Sequence, residues 1–485
     1  MIFTVPNRFR WAFCQLEALR HCLAPRVRHM LEELPETLDE TYERILRDIN
    51  KANRVHAHRL LQCLTVAVRP LRVAELAEVL AVDFETASGG GTSKLNTDWR
   101  WEDQQEAVLS TCSSLISVVD EKGSQIVQFS HFSVMEFLTS SRIAGSSTDV
   151  SRFHILLEPA HTILAKACLI VLLRLGELEL VDEDNVKDKF PLARYAAEHW
   201  VEHALFGDVS SYIREEMEQL FDPDKPYFAA WLQVHNVDTE YRRPSVLYLF
   251  FNASREEPNT ATPLYYAALC GFHDLAVQLI IKNPKQVNTT GGYYVSPLGA
   301  ALCGGHLKIA QALYEHGANV DVQGSNDYTP LHGASWIGHV EIVQWLLGRS
   351  ANPMVRDKTY CWTPLHLAAF FGHVEISRLL LQYKAGNYCE DLYGRTPLRV
   401  ASDQGHVDVA RLLLEHGADA NAPDYGRNTA LHSASEGGLL EVARLLVEHG
   451  ANVDAEDRRG MTAFQVASER GHHDMAKFLS DHGSK

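Results

Sequence analysis

The stretch Thr363-Pro364-Leu365-His366-Leu367-Ala368-Ala369-Phe370-Phe371-Gly372-His373, with the apolar-periodic run Val374 to Leu381 behind it, decides the fold because copies of it recur. Counted from the Thr or Ser that opens each copy, the starts fall at Thr262, Ser296, Thr329, Thr363, Thr396, Thr429 and Thr462, always 33 or 34 residues apart. A fixed period of that size belongs to stacked units, each burying a face against the next.

The recurring residues have mechanical roles. Thr or Ser suits a helix N-cap, and Pro263, Pro297, Pro330, Pro364 and Pro397 take the first helical position, where a missing N–H costs nothing. Five residues after each start stands an alanine (Ala267, Ala301, Ala334, Ala368, Ala401, Ala434, Ala467), as expected where neighbouring units approach closely. Nine after it stands a glycine (Gly271, Gly305, Gly338, Gly372, Gly405, Gly438, Gly471) that separates two helices, and seventeen after it a core leucine, Leu279 through Leu479. Gly317, Gly417, Gly450 and Gly483, twenty-one after the start, predict left-handed helix caps, and Ser350 and Lys384 stand at the same position with a β-carbon. His306, His339, His373, His406 and His472, each beside a turn glycine, are expected to hydrogen-bond between neighbouring units.

Thr-Pro-Leu-His-x-Ala is nearly intact at 329–334 and 363–368, and these residues resemble the ankyrin repeat over 258–485, as seven copies. The resemblance implies an α-solenoid that binds other proteins.

Composition bounds the remainder. The chain has 485 residues, 46% of them hydrophobic, enough for about three domains with buried cores. Its apolar runs, such as Cys168 to Leu173, are too short to span a bilayer, and no signal peptide opens the sequence, so a cytoplasmic location is expected, with the nucleus left open. Nine scattered cysteines fit reduced thiols, and a net charge of −17 argues against general nucleic-acid binding.

The N-terminal half reads as helices at Arg8 to Cys22, Arg26 to Glu33 and Leu38 to Lys51, forming a segment 1–54. Helices from Val55 to Val68, Val73 to Val82 and Gln105 to Ser113 then precede two short strands, Leu115 to Val119 and Ile126 to Phe129, which spell a winged helix over 55–145 with a Gly-rich loop at Ser88 to Ser93. The helix Val73 to Val82 carries Glu75 and Glu78 and no basic residue, so phosphates would repel it and a protein-contacting role is expected. Residues 146–257 read as a helical spacer, interrupted by an acidic loop from Glu177 to Asp188. The fold class is therefore mainly α: winged helix, helical spacer and ankyrin-repeat solenoid.

The run Arg8 to Leu16, the Leu34-Pro35-Glu36-Thr37-Leu38-Asp39-Glu40-Thr41-Tyr42-Glu43-Arg44 helix and the segment Phe129 to Leu138 resemble the region just after the nucleotide-binding core in NACHT-type signalling NTPases, especially fungal ones that end in ankyrin repeats. In that family the winged-helix histidine, here His131, reaches the bound ADP phosphates, a role that holds only if an NTPase core is present. A phosphate loop needs Lys after Gly, and this chain has no Gly-Lys dipeptide. The expectation is thus a chain without cofactor or catalysis, with a fragment of a longer nucleotide-dependent NTPase as the alternative. A remoter one is a zinc hydrolase, since His199-Trp200-Val201-Glu202-His203 has the H-x-x-E-H spacing; no distal acidic ligand helix supports it.

The repeat surface remains to carry function. Positions seven and eight after each start should face the concavity, and they read Leu269-Cys270, Cys303-Gly304, Trp336-Ile337 and Phe370-Phe371 before switching to Asp403-Gln404, Glu436-Gly437 and Glu469-Arg470. Finger positions add Tyr293, Tyr294, Tyr328, Tyr360, Trp362, Tyr393 and Tyr425. The expected site for a protein partner is therefore Leu269, Trp336, Ile337, Phe370 and Phe371 with Tyr328, Tyr360, Trp362, Tyr393 and Tyr425, with no nucleic acid and no membrane involved.

Overall fold

The computed structural model describes residues 37–84, 94–100, 103–112, 114–121, 123–177, 189–235, 261–292, 294–323 and 327–483. The expected helices before Leu34, the Gly-rich loop, nearly all of the acidic loop and Tyr293 lie outside those residues. The chain divides in two after Tyr241.

The first part opens on the helix Leu38–Asp48, closed at its N-terminus by a reciprocal capping box in which Thr37 Oγ1 accepts from Glu40 N and Glu40 Oε2 accepts from Thr37 N, both at 3.2 Å. Acidic Asp39 and Glu40 in its first turn and Arg47 in its last suit the helix dipole. Helix Arg54–Val66 leads to strand β1 (Leu71–Arg72), helix Val73–Leu80, strands β2 (Val82–Asp83) and β3 (Lys94–Leu95), helix Gln104–Cys112, and the hairpin β4 (Ile116–Glu121) and β5 (Ser124–Phe129). The sheet order is β1-β5-β4, all antiparallel, with Leu71 opposite Val127 and Ile116 opposite Phe129; β2 and β3 form a separate pair. The hairpin and three helices follow the sequence reading, whereas β1, β2 and β3 were not foreseen: two residues are too few to show a period.

Glu75 and Glu78 differ from expectation. They were read as a surface that repels phosphate, but they are 1% and 3% exposed. Arg69 binds Glu75 with two nitrogens at 2.9 and 2.7 Å, and Arg100 pairs with Glu78, which also accepts from Leu192 N at 2.6 Å. Both sit against an apolar interior, where a carboxylate is retained only with such partners. The Leu192 contact and the bond from Val68 N to the Tyr195 hydroxyl (3.2 Å) fasten the winged helix to the spacer helix Ala193–Ala204. That helix packs on the long helix Leu157–Leu175, and Trp200, Phe221 and Trp231 close the spacer core with tilted and edge-on rings. Among the described residues no helix is long and apolar enough to cross a membrane.

The second part is the repeat array. Each unit pairs a first helix of seven or eight residues with a second that is as long or longer, as in Pro330–Ile337 with Val340–Leu347 and Pro364–Phe371 with Val374–Gln382. The repeating alanines are at most 2% exposed and the repeating leucines at most 7%. Every opening Thr or Ser is an extended N-cap, and Gly317, Gly417 and Gly450 adopt left-handed caps with φ of 87°, 81° and 82°. Gly483 corrects the pattern: its φ is −83°, its N–H closes on the Leu479 carbonyl at 2.9 Å, and the backbone leaves extended.

Ser350 and Lys384 do take the left-handed conformation, at φ of 64° and 63°. A β-carbon there costs roughly 1 kcal/mol, a little more than glycine's extra freedom in the unfolded chain. Lys384→Gly is therefore expected to raise the melting temperature by about 1–3 °C; an unchanged or lower value in differential scanning calorimetry would contradict this.

Candidate protein-interaction face

Two sets of histidines set the geometry of the repeat face. In the first, the imidazole ten residues after one start reaches the repeat before it. The Nε2 atoms of His306, His373, His406 and His472 donate to the carbonyls of Leu269 (3.2 Å), Trp336 (3.1 Å), Phe370 (3.0 Å) and Glu436 (3.0 Å). Each acceptor stands seven residues after its own start, at the end of a first helix where carbonyls lack helical partners.

The second set lies inside the helices. His332, His366 and His432 accept from the backbone N–H of Thr329, Thr363 and Thr429 at Nδ1, each at 3.2 Å. Their Nε2 atoms donate to Trp362, Arg395 and Met461 carbonyls at 3.1, 3.2 and 3.1 Å, which ties each first helix to the following finger. Burial holds His332 and His366 down to about 4, and His432 below the usual imidazole value, so all three are neutral in the fold.

Fingers are held by aspartates that the sequence reading missed. Asp391 Oδ1 accepts from Tyr393 N and Arg395 N, both at 2.8 Å, and Asp424 and Asp457 do the same for their own loops. Asp357 accepts from Thr359 N and Tyr360 N at 2.7 Å and from Trp362 N at 2.8 Å. The signal was present: Asp357, Asp391, Asp424 and Asp457 stand five or six residues before successive starts.

The expected partner residues separate by exposure. Leu269 is fully buried and Trp362 is 6% exposed, with its indole Nε1 donating to Asp391 Oδ2 at 3.1 Å, so both act in packing. Trp336, Ile337, Phe370, Phe371, Tyr328 and Tyr360 are half-buried, and Tyr393 and Tyr425 are exposed. The Phe370 ring lies 5.0 Å from Phe371 and 5.4 Å from Trp362, which lies 6.0 Å from Tyr360, so one aromatic row runs from helix to finger. Beyond it the face becomes charged and internally paired. Arg399 binds Asp403 and, at 3.4 Å, Asp424; Arg470 binds Glu436.

The other histidines singled out have protein partners. His131 caps the helix Phe132–Thr139, its Nδ1 accepting from Ser133 N at 3.2 Å and lying 2.6 Å from Ser133 Oγ, which is 2.8 Å from the Tyr42 hydroxyl. His203 of the H-x-x-E-H stretch is fully buried, with Nδ1 2.8 Å from His161 Nδ1 and Nε2 2.9 Å from the Tyr195 hydroxyl, and burial lowers it to about 3. Half-buried His199 is 3.4 Å from Glu202. Both ring nitrogens of His203 thus face hydrogen-bond partners, and among the described residues no group of three or more His, Cys, Asp or Glu is placed to hold a metal.

This architecture, paired helices linked by aspartate-anchored fingers, is that of the ankyrin repeat. The model of the family described as ankyrin repeats matches at 239–324, 264–357, 331–424 and 424–485, together just over half of the sequence, and the chain belongs to the ankyrin-repeat proteins. Residues 43–151 match the winged helix domain of GPI inositol-deacylase. Over 283 residues the chain is 33% identical to azaphilone pigments biosynthesis cluster protein L of Monascus ruber, a stretch covering 56% of this chain and 57% of that protein. The match therefore spans little more than half of that relative's length.

The buried imidazoles give this face a pH dependence. Unfolded histidine takes up a proton near pH 6.5, whereas His332 and His366 resist it to about 4. The unfolded chain then binds more protons between those values, so the stability due to these groups is whole above about pH 6.5 and declines as pH falls. The expected loss by pH 5 is about 2 kcal/mol per histidine. Urea unfolding across pH 7.5 to 4.5 should show it, and His366→Gln should flatten the slope by about one proton; an unaltered slope would refute the assignment.

Proposed function

We propose that this chain is a non-catalytic interaction protein, and that its winged helix, spacer and repeats are the regulatory and sensing part of a NACHT-type signalling protein. The observation that carries the interaction reading is the aromatic row at repeat four, with half-buried Trp336 at the matching position of repeat three. Trp336 and Phe370 stand on backbone whose carbonyls His373 and His406 fix, so their side chains are presented from a rigid base. Rigid, half-exposed aromatics are what protein interfaces select. The partner is another protein rather than nucleic acid: the helix Gln104–Cys112, which leads into the β4–β5 hairpin, has no Lys or Arg to meet phosphate. A cytoplasmic setting suits this role.

The NACHT reading rests on the bonds among Tyr42, Ser133 and His131, which join two of the segments that carry that resemblance. It leaves a second reading, a nucleotide-dependent switch whose NTPase core lies outside this sequence. The first reading expects no ATP or ADP binding by the purified chain in calorimetry; micromolar binding that disappears in His131→Ala would favour the second.

Buried aromatic anchors typically lose more than about 2 kcal/mol on truncation. In pull-downs from native extract, Trp336→Ala and Phe370→Ala should weaken capture of the partner at least tenfold with circular dichroism unchanged, and Glu436→Ala should retain it. Loss in Glu436→Ala with capture intact in the aromatic variants would move the site to the charged repeats.

A further inference from the structure

The fingers of repeats four to six enclose an open groove of about 310 Å³, lined among others by Arg356, Tyr388, Glu390, Leu392 and Tyr425. We propose that this groove binds an extended peptide in which one apolar side chain is flanked by a basic residue on one side and an acidic residue on the other. The proposal rests on the reading of the repeats as an interaction surface and gives that surface a ligand chemistry.

Three features support it. The apolar lining is uncovered: Tyr388 is 74% exposed, Tyr425 58% and Leu392 52%. Scattered exposed apolar residues need no explanation, but three around one concavity form the kind of patch that marks a binding site. The volume suits one large side chain with its adjoining backbone.

The walls are also rigid before any ligand arrives. Asp391 and Asp424 hold their loops, Leu392 N donates to the Tyr360 carbonyl at 2.7 Å, and Tyr425 N donates to the Tyr393 carbonyl at 3.0 Å. Tyrosines on such a frame lose little freedom on binding, which is how a small area yields useful affinity.

Charge supplies the flanking residues. Arg356 and Glu390 lie on successive fingers, and neither has an ion pair among the described residues. Their neighbours are already committed: Lys358 pairs with Asp327, Arg395 with Asp391, and Arg399 with Asp424. Opposite charges one repeat apart demand opposite charges on the ligand in a fixed order, which sets the direction of the peptide.

The test is selection of random peptides displayed on phage against the full chain, with the enriched sequence synthesised and its affinity read by fluorescence anisotropy. The expected consensus has an apolar residue between opposite charges, and Tyr388→Ala and Tyr425→Ala should each weaken it at least tenfold. Exchanging the groove charges, Arg356→Glu with Glu390→Arg, should reverse the order of charges in a repeated selection. Failure to obtain a consensus, or one indifferent to Tyr425→Ala and to the charge exchange, overturns the proposal. If the selected peptide is instead lost in Trp336→Ala alone, the groove is refuted while the interaction reading stands.

Discussion

Four junctions of the repeat array depend on a contact made possible by an absent atom, at Gly271, Gly338, Gly372 and Gly438. Gly372 sits at φ 73°, and a β-carbon there would lie 2.6 Å from Nδ1 of His406; at Gly338 the same atom would lie 2.7 Å from Cε1 of His373. With nothing but hydrogen at those positions, each imidazole slides over the turn of the preceding repeat and donates to the carbonyl that ends its first helix. Each of these bonds, made by His306, His373, His406 and His472, is modest, about 1 kcal/mol net, yet it helps fix the register of the two units it joins, and stacked repeats are stable only through such nearest-neighbour terms.

That register places the aromatic row. The residue whose carbonyl is held is the one seven positions after the start, so the lock acts directly beneath Trp336 and Phe370. From there Phe370 meets Trp362, whose indole bonds to Asp391, and Asp391 shapes the finger that bears Leu392 and Tyr393. A rigid path thus runs from the junction histidine through the aromatic row to the finger tips. In repeats five to seven the same positions carry Asp403, Glu436 and Glu469, each paired with an arginine of its own array: Arg399, Arg470 and Arg459.

Much of this was legible in the sequence because a 33-residue period multiplies every weak signal. Single caps or turn glycines mean little, but seven in register locate the N-caps, the alanine contacts and the core leucines, and five of the seven copies carry a histidine beside the turn. The hairpin Ile116–Glu121 and Ser124–Phe129 was visible from its own composition. What failed to show needed long-range partners. Glu75 and Glu78 look like surface residues until Arg69, Arg100 and Leu192 N come together around them. Leu269 shares the register of Trp336 but is fully buried, and periodicity cannot report such burial. Tyr388 and Leu392 were overlooked because their importance lies in a groove between fingers, and no single repeat contains it.

The most direct test of the junction lock is a double-mutant cycle between Gly372 and His406, measured by urea unfolding of the full chain. Gly372→Ala should destabilise through both the left-handed backbone and the collision with the imidazole, and only the second part should disappear when His406→Ala is added. The account predicts a coupling energy of about 1 kcal/mol or more between the two positions; effects that add to within about 0.3 kcal/mol would contradict it.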